Sequence, residues 1–150
     1  MSNLYNHIDL AYYKSNTFID TIKQKQIIDL SIIISTYRGS KKLFFLLSSI
    51  CNSTVIPNEI IIVGTNKSDF ENLDVFLNIL NIKLKISDKA DQIYQRNLGF
   101  KFVTSNFILQ CDDDIKFSKN CLEILYNKIN ASSNTILCPL IIDQYGRRAD

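Results

Sequence analysis

Glycine and proline are scarce in this chain, with four and two residues in 150; tryptophan is missing, and the one histidine is His7. The glycine shortage excludes most. Phosphate-cradling loops need backbone without side chains, and neither G-x-x-x-x-G-K-[ST] nor G-x-G-x-x-G occurs, which argues against P-loop and dinucleotide-binding folds. A bound nucleotide would have to be held another way. Four cysteines, Cys51, Cys111, Cys121 and Cys138, form no C-x-x-C pair, which with one histidine argues against a zinc site. Each lies in or beside an apolar run, as in Ile50-Cys51 and Leu137-Cys138-Pro139, so all four read as reduced, buried thiols in a reducing cytoplasm. No apolar run approaches the ~20 residues of a spanning helix. Met1 to Leu10 carries Asp9 and no apolar stretch of a signal peptide. Excess charge of one sign is lacking too: 17 basic and 15 acidic residues leave +2, too little for a nucleic-acid groove.

What is present is ordinary for a soluble domain, at 46% hydrophobic and 21% charged residues. From about residue 30 short β-branched runs alternate with longer helical ones, the pattern of a parallel sheet with crossover helices. Strands are predicted over 30–36, 59–63, 82–86, 106–111 and 135–142. A continuous apolar run marks the second as covered on both faces. In the third, Ile82, Leu84 and Ile86 alternate with Lys83 and Lys85, which reads as an edge strand with one wet face. Helices are predicted over 41–50, capped by Ser40; after a Ser68-x-x-Glu71 capping box, through Leu73, Phe76, Leu77 and Leu80; over 89–103, with Ile93, Leu98 and Phe102 inward; and after a Ser118 cap, with Leu122, Leu125, Tyr126 and Ile129 inward. Residues 1–29 read as a preceding helical arm with Phe18, Ile19, Ile22 and Ile27 at helical spacing, and 30–150 as the main domain.

In an open parallel sheet, ligands collect beyond the carboxyl ends of the strands. There the chain places Thr36-Tyr37-Arg38, Gly64-Thr65-Asn66, Ser87-Asp88 and Asp112-Asp113-Asp114. Three adjacent carboxylates repel one another unless water, a basic side chain or a metal compensates. Strand alternation would put Asp112 and Asp114 on one side and Asp113 on the other. Two hard oxygen ligands on one side suit Mg²⁺ or Mn²⁺ completed by water and a diphosphate. A solvated acidic turn is the plainer alternative. Gln95-Arg96-Asn97, on the preceding helix, would bring a cation and an amide to the same edge.

The ordered set Ser31-Ile-Ile-Ile-Ser-Thr36-Tyr37, Pro57-Asn58-Glu59-Ile-Ile-Ile-Val63, Arg96-Asn97-Leu98-Gly99 and Phe107-Ile-Leu-Gln-Cys-Asp112-Asp-Asp114 resembles the N-terminal, nucleotide-sugar-binding half of a family 2 glycosyltransferase. The resemblance covers residues 30 to 142. It implies a three-layer α/β/α GT-A fold with a mostly parallel, Rossmann-like sheet, and a cytoplasmic enzyme of cell-surface glycan synthesis.

By that resemblance Thr36 and Tyr37 would line the base pocket with Arg38 at its rim, and Arg96 and Asn97 would support the diphosphate or order the Asp-x-Asp loop. Asp112 would bind the ribose or help hold the metal, Asp114 would ligate Mn²⁺ or Mg²⁺, and Asp113 would contact the sugar or be solvated. Gly64 stands where relatives commonly carry an acidic residue that reads the base. A UDP-sugar is the expected donor and a glycan or lipid-linked molecule the acceptor. Peripheral contact with the inner membrane face and a homo-oligomer stay open, and nucleic acid is not expected.

The acceptor-binding half, with the base of inverting enzymes, would follow beyond residue 150. Within the chain Asp143 and Asp150 qualify by residue type alone; Glu123 reads as an exposed salt-bridge residue, His7 as a surface residue, and Arg147-Arg148 as a solvated pair. The alternative reading is a truncated, non-catalytic nucleotide-binding or protein-interaction domain. A phosphatase-type Asp-x-Asp nucleophile would belong after the first strand and expects Thr or Val where Lys116 stands.

Overall fold

The computed structural model describes residues 10–132, 134–143 and 145–148; His7, Asp9 and Asp150 lie outside them. Four strands, β1 (Gln26–Ser35), β2 (Val55–Gly64), β3 (Ile82–Ile86) and β4 (Phe107–Asp112), form one sheet in the order β3-β2-β1-β4. Every pairing is parallel. The helices are α1 (Leu10–Lys14), α2 (Asn16–Lys23), α3 (Ser40–Cys51), α4 (Asp74–Leu77), α5 (Gln92–Phe100) and α6 (Cys121–Asn130).

Alternation along the strands divides the core between two faces. Ile32 and Ile34 of β1, with Ile60 and Ile62 of β2, join Leu43, Leu46, Leu47 and Ile50 of α3, Phe76 of α4 and Leu122 of α6 in the larger cluster. Ile33, Ile61 and Val63 point to the opposite face, where Leu98, Phe102 and Val103 cover them. The sheet is therefore sandwiched between two helical layers, as expected. At Gly99 an added Cβ would come within 2.6 Å of Ile33 Cγ2, so glycine lets α5 lie directly on β1.

Several local expectations are revised. β1 and β2 each begin four residues before their predicted starts. β1 thus takes in Ile27, which is exposed, while Phe18 and Ile22 of α2 are buried in the larger cluster. The capping box forms two residues early: Asn66 and Asp69 cap a 3-10 turn over Lys67–Phe70, and only the four-residue α4 follows. Asp69 wins over Glu71 because it is buried among backbone donors. The cap residues of α3 and α6 are Gly39 and Asn120, without side-chain cap bonds, so Ser40 begins its helix and Ser118 precedes the cap. Asp91 caps α5 by accepting from the Tyr94 amide, which leaves Ile93 on the outer face, 69% exposed.

The segment read as a fifth strand, 135–142, has none; its one bridge joins Ile142 to Arg148. Ile136, Leu140, Ile141 and Ile142 are exposed, and so is Cys138. With no ladder partner, apolar sequence alone does not make a strand. Cys121 is half-buried, whereas Cys51 and Cys111 are buried as expected, and burial pushes both of those thiols up to about 12. Among the described residues Glu123 makes no ion pair; it accepts a 2.7 Å hydrogen bond from the Thr54 hydroxyl.

β3 is an edge strand, but its lysine face is only partly exposed. Lys83 ion-pairs with Glu59 and donates to the Phe102 carbonyl, and Lys85 sits 3.9 Å from the Phe102 ring centroid. Glu59 is fully buried and also accepts from the Ser31 hydroxyl and from the amide and hydroxyl of Thr104. Burial would raise its pKa, yet these donors outweigh it and hold the carboxyl down at about 2. One carboxylate thereby ties β1, β2, β3 and the approach to β4.

Glu59→Ala, which strands a lysine and several donors, is expected to cost about 3 kcal/mol of unfolding free energy, measured as a lower urea midpoint. Because the folded pKa is depressed from 4.5 to about 2, the carboxylate stabilises the fold fully above pH 4.5 and loses that effect as pH falls toward 2. The gap between wild type and Glu59→Gln should close over that interval.

Candidate functional site

Apolar sequence stops at the same level in β1 and β4, and polar residues take over. Ser35 pairs with Asp112 across these strands. A cleft of about 350 Å³ opens there, lined by Ser35, Thr36, Tyr37, Lys42, Gln92, Gln95 and the three carboxylates Asp112, Asp113 and Asp114.

Gln95 fixes the cleft floor. It is buried, and its amide donates to the Thr36 and Val63 carbonyls at 3.0 and 3.2 Å, bridging the ends of β1 and β2. Asp69 fixes the neighbouring loops. It accepts from the backbone amides of Arg38, Thr65 and Asn66 and from the Thr65 hydroxyl. Burial opposes ionisation here, but those amides prevail and its pKa falls below the usual value. The Arg38 amide bond holds that residue at φ 54°, a conformation uncommon outside glycine.

The acidic triplet divides differently from strand alternation. Asp112, the last strand residue, accepts from Arg96 Nη2 and Gln92 Nε2, both at 2.6 Å. Asp113 and Asp114 lie in a turn and share the Lys42 ammonium, at 3.8 and 3.3 Å. Asp114 therefore groups with Asp113 and not with Asp112, because the pleat ends at residue 112. Asp113 also accepts from the Thr36 hydroxyl at 2.7 Å. Burial pushes its carboxyl above the ordinary value, with Asp114 and Asp112 adding to the effect, while Thr36 and Lys42 oppose it. A Cβ on Gly39 would collide with the Asp113 carboxylate and the Thr36 hydroxyl, so only glycine lets the β1–α3 loop close over this turn.

Not every expected residue reaches the cleft. Tyr37 lines it while more than half exposed, with the Arg38 guanidinium 5.0 Å from its ring centroid. Arg96 reaches it through Asp112, and its buried Nε has no partner among the described residues. Asn97 is exposed on α5, and Gly64 is buried beneath Asp69 and Phe70; neither lines the cleft. Asp143 is occupied within a local turn, bonded to Arg147 and to the Tyr145 amide. Lys42 and Gln92 carried no sequence signal beyond their closeness to quoted motifs, and Ser35 stands in the first-strand motif without a role.

Oxygen donors of this kind suit a hard divalent ion. Among the described residues no group of three or more His, Cys, Asp or Glu side chains surrounds one point, so an ion here would draw only part of its shell from protein.

The profile described as Glycosyl transferase family 2 matches residues 31–149. The chain belongs to this family. Its relatives include the uncharacterized glycosyltransferase YwdF of Bacillus subtilis (strain 168), 30% identical over 104 residues, which are 69% of this chain and 39% of YwdF. Among solved structures, the fold is similar to that of S. aureus TarS 1-349, with TM-score 0.62 and 24% identity over 69% of this chain and 32% of that one. TarS 1-349 in complex with UDP-GlcNAc superposes with TM-score 0.58, again over 69% of this chain and 31% of that one. The chain thus spans well under half the length of these relatives. TarS shows the GT-A fold shared by this family 2 chain. No described helix is long and apolar enough to cross a membrane.

Asp69→Ala is expected to speed hydrogen exchange at the amides of Arg38, Thr65 and Asn66, which lose their acceptor, while Ile33 and Ile61 stay protected. Two-dimensional NMR on the purified chain would read this residue by residue.

Proposed function

We propose that this chain is the donor-binding part of a glycosyltransferase and takes a nucleoside-diphosphate sugar into the cleft at the ends of β1 and β4. The observation that carries the reading is the convergence of Thr36, Tyr37 and the Asp112 to Asp114 triplet, which are far apart in sequence, on one polar cleft. Family membership supports the reaction class, and the TarS complexes with UDP and UDP-GlcNAc make a UDP-sugar the first donor to test. Thr36 and Tyr37 would line the base pocket, with Arg38 at its rim and Gly64 behind the loop that Asp69 holds. Arg96, held on Asp112, would stand beside the diphosphate with Asn97 on the same helix. Asp112 would accept from the ribose, and Asp113 would keep the floor closed through Thr36.

Mn²⁺ or Mg²⁺ would be held by Asp114 with Asp112, and would neutralise charge on the departing nucleoside diphosphate. The acceptor would be a glycan or lipid-linked molecule, in cell-surface glycan synthesis on the cytoplasmic side. Residues 30–150 would form the binding domain behind the arm of residues 1–29.

Calorimetry with UDP, GDP and TDP, each with and without Mn²⁺, tests this reading. Metal-enhanced binding of one of them is expected, and no binding of any would overturn it. Asp114→Ala should abolish the enhancement and leave the unfolding transition cooperative, because this carboxylate is exposed and contributes little to the core.

A further inference from the structure

The cleft contains its own counter-charges. Three carboxylates face two cations, Arg96 and Lys42, and the two are held unequally. Arg96 contacts Asp112 at 2.6 Å with 28% of its side chain exposed, beside a second donor from Gln92. Lys42 stands 3.3 Å from Asp114 and 3.8 Å from Asp113, with 56% of its side chain exposed. A flexible, solvated ammonium at such distances is weakly held, so Lys42 is the cation that can leave. An independent sign that the cleft takes a polar ligand is Ser35: it lines the same cleft, is 6% exposed, and its buried hydroxyl has no partner among the described residues.

We propose that Lys42 is the resident counter-cation of the acidic turn: it neutralises Asp113 and Asp114 in the empty cleft and competes directly with a divalent cation for Asp114. The proposal rests on the donor-binding reading for its purpose, but not for its chemistry. When a divalent ion takes Asp114, the Lys42 ammonium is released at the cleft mouth, where a ligand's anionic diphosphate would enter. Uptake of metal and uptake of the anion are thereby coupled through one side chain at the first turn of α3. With Lys42 in place the triplet and its two cations carry a formal charge of −1; without it the charge is −2.

The test uses Mn²⁺ alone, followed by calorimetry or by loss of its free-ion paramagnetic resonance signal, on wild type, Lys42→Met and Lys42→Arg. Lys42→Met keeps the apolar stem and removes the charge. It should bind Mn²⁺ about thirtyfold more tightly, the effect of deleting one positive unit charge about 4 Å from a divalent ion through water, whereas Lys42→Arg should stay near wild type. An unchanged or weaker Mn²⁺ affinity in Lys42→Met, or no Mn²⁺ binding in either protein, overturns the proposal. Thermal unfolding confirms that each variant is folded before titration. Because no nucleotide is present, failure of nucleotide binding leaves this result standing and fails the donor-binding reading alone.

Discussion

Burial of the paired isoleucine runs of β1 and β2 is the constraint on which the rest of the structure depends. Ile32, Ile33 and Ile34 lie in register with Ile60, Ile61 and Ile62, and all six are at most 1% exposed. A strand apolar on both faces must be covered on both, so α3 and α5 are drawn to opposite sides. Parallel pairing then puts every carboxyl end at one edge, and the position where the apolar run stops becomes the position where a ligand can be met. Asp112 lies beside Ser35 and Thr36 for that reason and for no local one.

Two buried carboxylates finish what the isoleucines begin. Glu59 holds the strands together near the start of the Ile60 to Ile62 run, and Asp69 holds the loops at their far end. Both are fully buried and both stay ionised because donors surround them. Asp69 also bears on the family resemblance. The resemblance led to the expectation of an acidic residue at Gly64, and the carboxylate that lies against it comes from five residues further on, turned inward to bind amides. The loop is thus built from within, and its outer surface is left to Thr65 and Asn66.

The acidic triplet shows where pattern reading ends. Alternation correctly separates Asp112 from Asp113, because residue 112 is still in the ladder. It misplaces Asp114, because the backbone has turned, and no periodicity describes a turn. The same limit accounts for the early capping box: Asn66 takes the Ser68 amide that Glu71 was expected to take, and Asp69 is buried where Glu71 is exposed. It accounts as well for Lys83, whose alternation suggested solvent, whereas β2 supplies Glu59 and the chain after α5 supplies the Phe102 carbonyl. The apolar segment 135–142 errs in the other direction, having strand composition without a neighbouring strand to complete it.

The sequence by itself determined the alternation of strands and helices, the double covering of β2, the edge position of β3 and the collection of polar motifs at one sheet edge, because each follows from hydrophobic periodicity. The ordered motifs also sufficed for the family. Tertiary structure alone decided which charges meet: that Arg96 takes Asp112, that Lys42 takes Asp113 and Asp114, and that Gln95 locks the floor. Those partners are separated by 16 to more than 70 positions, and ion pairing falls off within a few ångströms. Only the packed layers fix distances on that scale.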